Sequence, residues 1–275
     1  MKGRRQGDSS DARKTSGRAA AGLGKACATL VLCAAAALPA RAADDWEFVL
    51  APYLLAPSID GEAGMGRFID GADVDVDSRD IFEHLDLGAM IHAEVRHRSG
   101  FGAIVDYSFM DLSGESDGPV IPGAEIKAEV FQGIFEAFAS YRFEVTPQHK
   151  VDAYGGIRWW DIDVELKRRN APGFNVTEDK GDDWVDPVFG ARWVAEWWPG
   201  WRSSLAGDIG GFGVSSDFSA SVQALIIYDA WENVSIAAGY RALWVDYDNG
   251  KGGTPDYFSY DTVTHGPQIG VIFRF

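Results

Sequence analysis

From residue 87 onward the chain keeps to one period, and that period is two. In the first run, Leu87, Ala89, Ile91, Ala93 and Val95 share one face, and Gly88, Met90, His92, Glu94 and Arg96 share the other. The next run sets Phe101, Ala103, Val105, Tyr107 and Phe109 against Gly102, Asp106 and Ser108. The same split recurs over residues 127–143, 151–159, 185–198, 201–213, 218–228 and 234–248. A helix of period 3.6 would scatter these polar residues around its circumference, whereas a strand sends them all to one side. The chain is therefore expected to be all-β.

Alternation alone also suits a soluble sandwich, with one face packed and one face wet. Three features favour a barrel in lipid. The runs exceed the five or six residues usual in soluble strands. Large aromatics on the apolar face gather near strand ends, at Phe101, Phe109, Tyr141, Phe143, Trp159 and Trp197, as interfacial girdles require. The last strand closes with Ile269, Val271, Phe273 and Phe275 on one face. The expected fold is a transmembrane antiparallel up-and-down β-barrel.

Ten strands are expected, at 46–57, 87–98, 101–114, 125–144, 149–167, 184–198, 201–214, 218–230, 234–248 and 258–275; eight or twelve stay open. Connections at 98–100, 146–150, 199–200 and 231–233 are short and belong on the periplasmic side. Those at 114–123, 168–183 and 249–256 are long and belong outside. Within 58–86, residues 69–77 could extend a hairpin above the membrane, and Ser78 opens what reads as a capped helical turn over 78–86, placed in the barrel mouth.

Residues 1–42 read as a signal peptide. Lys2, Arg4, Arg5, Arg13, Lys14, Arg18 and Lys25 precede a 13-residue apolar run at 26–38, too short to span a bilayer as a helix. Ala40-Arg41-Ala42 then supplies a cleavage site, with the cut after Ala42. The expected domain is a single barrel over 43–275. Both cysteines, Cys27 and Cys33, lie in the leader, so the mature chain has no disulfide, thiolate nucleophile or cysteine metal site. Of 25 basic and 41 acidic residues, 8 and 2 fall in residues 1–42, leaving 17 against 39 and a net charge of −22. A body this acidic is a poor nucleic-acid binder.

The polar face carries charge on nearly every strand. Glu94, Arg96, Asp106, Glu136, Arg142, Asp152, Arg158, Asp186, Arg192, Glu196, Arg202, Asp208 and Arg241 are expected to face the lumen, with His92 and Arg274 alongside. Two readings stand. The charges fill a narrow lumen as paired groups, or they line a polar channel and set its selectivity. A ten-strand barrel is near the size that side chains fill and short of an aqueous porin. The expected role is a small porin-like or passive-channel envelope protein with a largely filled lumen. The alternative is a structural or adhesive barrel acting through acidic outer loops.

A barrel hydrolase comes third. His97 and His149 fall near periplasmic turns, His92 and His265 stand alone in sequence, and no Ser–His–Asp set assembles by spacing. No catalytic residue, metal or cofactor is expected. Asp73, Asp75 and Asp77 alternate, but Ser78 and His84 stand where a calcium loop needs Gly and Glu. Glu178, Asp179, Asp182 and Asp183 form a second acidic cluster. Both clusters are candidates for sharing divalent cations with lipopolysaccharide phosphates.

Several stretches resemble a family of Gram-negative outer-membrane β-barrel proteins of mostly unassigned activity. They are Trp46-Glu47-Phe48 with Ala51-Pro52-Tyr53-Leu54 and Asp60-Gly61, then Gly207-Asp208-Ile209-Gly210-Gly211-Phe212-Gly213 with Ser216-Asp217. Gly239-Tyr240-Arg241 with Asp246-Tyr247-Asp248, and the ending from Gly266-Pro267 to Phe275, complete the set. The resemblance spans most of 46–275 and implies the architecture but no substrate. It also implies that Ile269, Val271, Phe273 and Phe275 form the signal read by the barrel assembly machinery, and that outer-membrane lipid and lipopolysaccharide are partners.

Overall fold

A computed structural model describes residues 45–66, 69–117, 125–170 and 174–275. The signal peptide and its cut after Ala42 lie outside the described residues. Among the described residues, twelve strands and one short helix run in the order β1 Trp46–Leu55, β2 Ser58–Met65, β3 Ile69–Val76, α1 Ser78–His84, β4 Leu85–His97, β5 Phe101–Asp117 and β6 Glu125–Glu144. They continue with β7 His149–Asn170, β8 Phe174–Trp198, β9 Trp201–Gly211, β10 Phe218–Trp231, β11 Val234–Asp248 and β12 Phe258–Arg274. None of the described helices is long and apolar enough to cross a membrane.

The wall has ten strands. β4 to β12 pair in sequence order, and β1 closes the ring by pairing with both β4 and β12. β1 and β2 are one wall strand: β12 pairs Leu55 with Gln268 and Ser58 with His265 in an unbroken register. The strand breaks at Ala56-Pro57, where proline has no N–H to donate to a ladder. β3 then folds back on β2 as an extra strand, pairing Ile59 with Val76 and Glu62 with Asp73. The expected hairpin over 69–77 and the helical turn after it are both present. Ile81 on α1 is buried against Ile59 and Met110, which seats the turn between β2 and β5. Closure satisfies the ladder hydrogen bonds that lipid could not.

Two of the three long connections differ from expectation, whereas 249–256 joins β11 to β12 as a loop. Residues 114–117 and 168–170 are strand, as are 174–183, so β7 and β8 form one hairpin that sets Glu178, Asp179, Asp182 and Asp183 in register with Leu166, Glu165, Ile162 and Asp161. Pairing satisfies every second backbone group that a free loop would leave to solvent. The short turns are as expected. Gly100 (φ 96°) and Gly200 (φ 79°) supply the left-handed residues at the β4–β5 and β8–β9 turns.

The outward face is an apolar belt. Phe101, Val105, Ile157, Phe189, Leu205, Ile209, Val222 and Ile226 are all exposed. At the periplasmic end, Trp197, Trp198, Trp201 and Trp231 are exposed around the short turns. Trp159, Phe218 and Trp244 mark the opposite rim. From Phe218 to Tyr228, both outward, β10 spends eleven residues crossing this belt, the length a tilted strand needs. Beyond Trp159 and Trp244 the barrel continues as an outer extension.

Candidate functional site: the filled lumen

Inside the wall the polar face becomes a layered plug. The layer nearer the periplasm joins β4, β6, β7 and β8. Arg192 donates to both oxygens of Glu94 and, from Nη2, to Asp152 Oδ2 at 2.7 Å. Arg142 holds the same Asp152 in a two-pronged contact, Nε–Oδ1 2.5 Å and Nη2–Oδ2 2.7 Å. Arg96 completes the layer through Glu94 at 2.8 Å and reaches Glu47 at the rim at 3.3 Å.

The second layer lies one step further in. Arg158 donates from Nε to Glu136 at 2.6 Å and from Nη2 to Asp208 at 2.8 Å. Arg241, on the opposite wall, donates to Glu136 at 2.9 Å and to the Tyr53 hydroxyl at 3.1 Å. Tyr53 donates to Asp106 at 2.8 Å, and His92 sits between Asp106 (3.0 Å) and Glu94 (2.9 Å), tying the layers together. Five arginines, 96, 142, 158, 192 and 241, thus meet five carboxylates, 94, 106, 136, 152 and 208. Charge balance and bidentate geometry are what a desolvated network needs to survive.

A third, apolar layer closes the lumen toward the outer side. Ile134, Trp160, Ile162 and Trp184 from one wall pack on Leu243, Val245, Tyr247, Phe258 and Tyr260 from the other. Trp184 and Tyr247 stack with centroids 3.8 Å apart and planes 1° from parallel. The buried indoles are satisfied, Trp160 by Asp186 at 3.0 Å and Trp184 by Ser216 at 2.8 Å. Ser216 is itself pinned to Asp186 by its amide (2.9 Å) and hydroxyl (2.7 Å). This accounts for the glycine-rich motif. Gly211, Phe212 and Gly213 all take positive φ, turning the chain so that Ser216 drops into the barrel.

Charges face inward behind a closed wall that shows lipid an apolar belt between two aromatic rims. This is a transmembrane β-barrel of the outer-membrane type. No family model matches the chain, and no curated protein matches it in sequence. Among solved structures it is similar to the translocator domain of autotransporter NalP from Neisseria meningitidis, at 9% identity and a TM-score of 0.47, covering 94% of this chain and 98% of that one. It is similar to the outer-membrane protease OmpT from Escherichia coli at 9% identity and 0.43, over 84% and 97%. Ail, the attachment invasion locus protein of Yersinia pestis, follows at 11% and 0.35, over 84% and 99%. None of these likenesses carries an activity or a site across.

Of the expected lumen charges, ten join the five-by-five network. Asp186 is inward and buried, but its partners are Trp160 and Ser216 rather than an arginine. Arg202 lies lower, at the periplasmic mouth, sharing Asp229 (2.7 Å) with Arg274 (3.4 Å). Glu196 lines the cavity there and is exposed. That cavity, about 230 Å³, is bounded on its inner side by His92, Glu94, Asp106 and Arg192. His92 and His265 are not solitary: His92 meets Asp106 of β5 as well as Glu94 of its own strand, and His265 meets Asp60, 205 residues away. Tyr53, Asp229 and Trp184 escaped the sequence reading, because period two gives a residue's face but not its cross-lumen partner.

Proposed function

We propose that this chain is a non-conducting outer-membrane barrel of a Gram-negative bacterium, a structural or adhesive envelope protein whose working surface is its outer extension. One observation carries this reading: the Trp184–Tyr247 stack bridges β8 and β11 across the lumen, above two layers of paired charge. A selectivity filter needs sites that an ion can enter and leave. Here each arginine is already committed to a carboxylate, and an apolar lid follows. The passive-channel reading has in its favour the periplasmic cavity and a further void of about 60 Å³ among His92, Arg192, Glu136, Asp208 and Arg241, but neither is lined by a residue of the apolar layer that holds Trp184 and Tyr247.

The outer extension is acidic. Asp161, Asp163, Asp182 and Asp183 lie on the β7–β8 hairpin beyond Trp159, and Asp217, Asp246, Asp248 and Asp261 gather around β10 to β12. A surface of this sign suits basic partners or divalent cations. The deciding measurement is single-channel conductance of the refolded mature chain in a planar bilayer, with insertion shown by heat-shifted gel mobility. A quiet membrane is expected. Reproducible steps at wild-type sequence would overturn the reading in favour of a small channel.

A further inference from the structure

The charged groups described so far lie inside the wall or above the belt. One chain of ionisable side chains lies on the lipid-facing side. His265 on β12 projects outward, in register with Ala242 of β11 and Ser58 of β2. Its Nδ1 lies 2.6 Å from the Tyr240 hydroxyl, and its Nε2 lies 2.7 Å from Asp60 Oδ2. The consistent proton arrangement is Nε2–H donating to the carboxylate and Tyr240 donating to Nδ1. Tyr240 is 46% exposed, and the side chains of His265 and Asp60 are 31% and 49% exposed.

Register gives the depth. Asp60 shares a cross-strand row with Val263 and Trp244, the outer rim residue. His265 lies one row further into the belt, and Tyr240 one row below that, paired with Pro267. The chain therefore runs from the middle of the belt up to the rim, across β11, β12 and β2. An ionisable group facing hydrocarbon is costly and usually marks a site. Asp60 is only half satisfied: Oδ2 accepts from His265, while Oδ1 has no partner among the described residues.

The surroundings define what fits. Ala242 and Pro267 flank His265 on the outward face, and the open hollow that Trp244, Thr262 and Val263 share with Asp60 starts at that carboxylate. Above it, Glu62, Asp261 and Asp246 stand directly opposite one another across three strands, a field that repels a bare phosphate. Trp244 offers an aromatic face beside Asp60. Carboxylate, aromatic face and negative field together favour a primary ammonium. We propose that Tyr240, His265 and Asp60 form a lipid-recognition site that takes the primary ammonium headgroup of an outer-leaflet lipid. Asp60 Oδ1 accepts its hydrogen bond, and the acyl chains lie along Tyr240 and Ile269. The site rests on the reading that the barrel sits in the outer membrane, and is independent of whether the lumen conducts.

The test uses the whole mature chain inserted into nanodiscs of mixed phosphatidylethanolamine and phosphatidylcholine. Phosphatidylcholine carries the same charge but cannot donate a hydrogen bond from its head. Lipids retained after mild detergent release are counted by native mass spectrometry. Phosphatidylethanolamine should be retained roughly tenfold over its bulk share, as one charge-assisted hydrogen bond implies. That enrichment should vanish in Asp60→Asn and fall in His265→Phe, while Glu144→Gln at the periplasmic end retains it. Free ethanolamine in excess should not compete, since it lacks the acyl contacts; competition would assign the site to a soluble amine instead. Equal retention by wild type and Asp60→Asn, in barrels shown to be inserted, would overturn the site. Failure of the wild type to insert would count against the membrane reading itself.

Discussion

Glu136 and Arg158 stand directly opposite each other on β6 and β7, Nε to Oε1 at 2.6 Å, and both are buried. Each is also shared, Glu136 with Arg241 and Arg158 with Asp208, so the pair is the crosspiece of the inner layer. Removing Arg158 leaves Asp208 without its arginine and Glu136 with Arg241 alone. Arg158→Ala should destabilise the folded barrel by about 3–5 kcal/mol, the usual consequence of an uncompensated buried charge. Urea unfolding in lipid vesicles, followed by gel mobility, measures it. A loss below about 1 kcal/mol, the range of a surface ion pair, would mean water reaches the layer.

The apolar lid and the charge layers block the lumen independently. Trp184→Ala with Tyr247→Ala should cost several kcal/mol in stability, as deletion of buried aromatic contacts does, yet leave the bilayer silent. Adding Arg241→Ala and Glu136→Ala should open a path and give discrete steps. Conductance from the aromatic double variant alone would show that the ion pairs are already permeable.

How much of this was legible in the sequence depends on distance along the chain. Period two assigned the inward face of β4 to β9 residue by residue, including Glu94, Asp152, Arg158 and Arg192, because side-chain alternation is local. Partners were not legible, because Arg192 meets Glu94 across 98 residues and Arg241 meets Tyr53 across 188. The register of ten strands fixes such pairs, and no single strand encodes it. The continuity of β1 and β2 through Pro57 was hidden for a related reason: only the unbroken register with β12 shows it. The acidic stretch 178–183 read as loop because its composition lacks β formers, and pairing with β7 overrode that local preference.

Phe275 closes the ring. Its amide donates to the Phe48 carbonyl at 3.0 Å, and its carbonyl accepts from the Phe48 amide at 3.2 Å. Deleting it should remove two hydrogen bonds, about 1–3 kcal/mol in all, which refolding in detergent should tolerate. If the terminal strand is also read by an assembly machinery, the loss in cells will be far larger. Comparing folded yield in vitro with outer-membrane level in vivo separates the two. Equal deficits would mean that Phe275 acts only as a structural closure.

The β7–β8 hairpin should respond to pH through Asp161, which lies beyond Trp159 and outside the belt. Partial burial, together with the carboxylates of Asp163 and Asp183, pushes its pKa up to about 6; Asp183 is its cross-strand partner. A carboxyl whose folded pKa is raised favours folding most when protonated, and that contribution fades as pH rises through about 6. The hairpin should therefore be tighter at pH 5 than at pH 8. Hydrogen exchange over residues 160–184 should slow on acidification, while the belt strands, governed by lipid burial, should change little. Asp161→Asn removes the titrating group and should leave the hairpin protected at both pH values. If exchange in the variant keeps the wild-type pH dependence beyond the intrinsic chemical rate, the switch lies elsewhere in the acidic extension, with Asp246 next in line: burial and its neighbours Asp261, Asp217 and Asp248 raise its pKa in the same way.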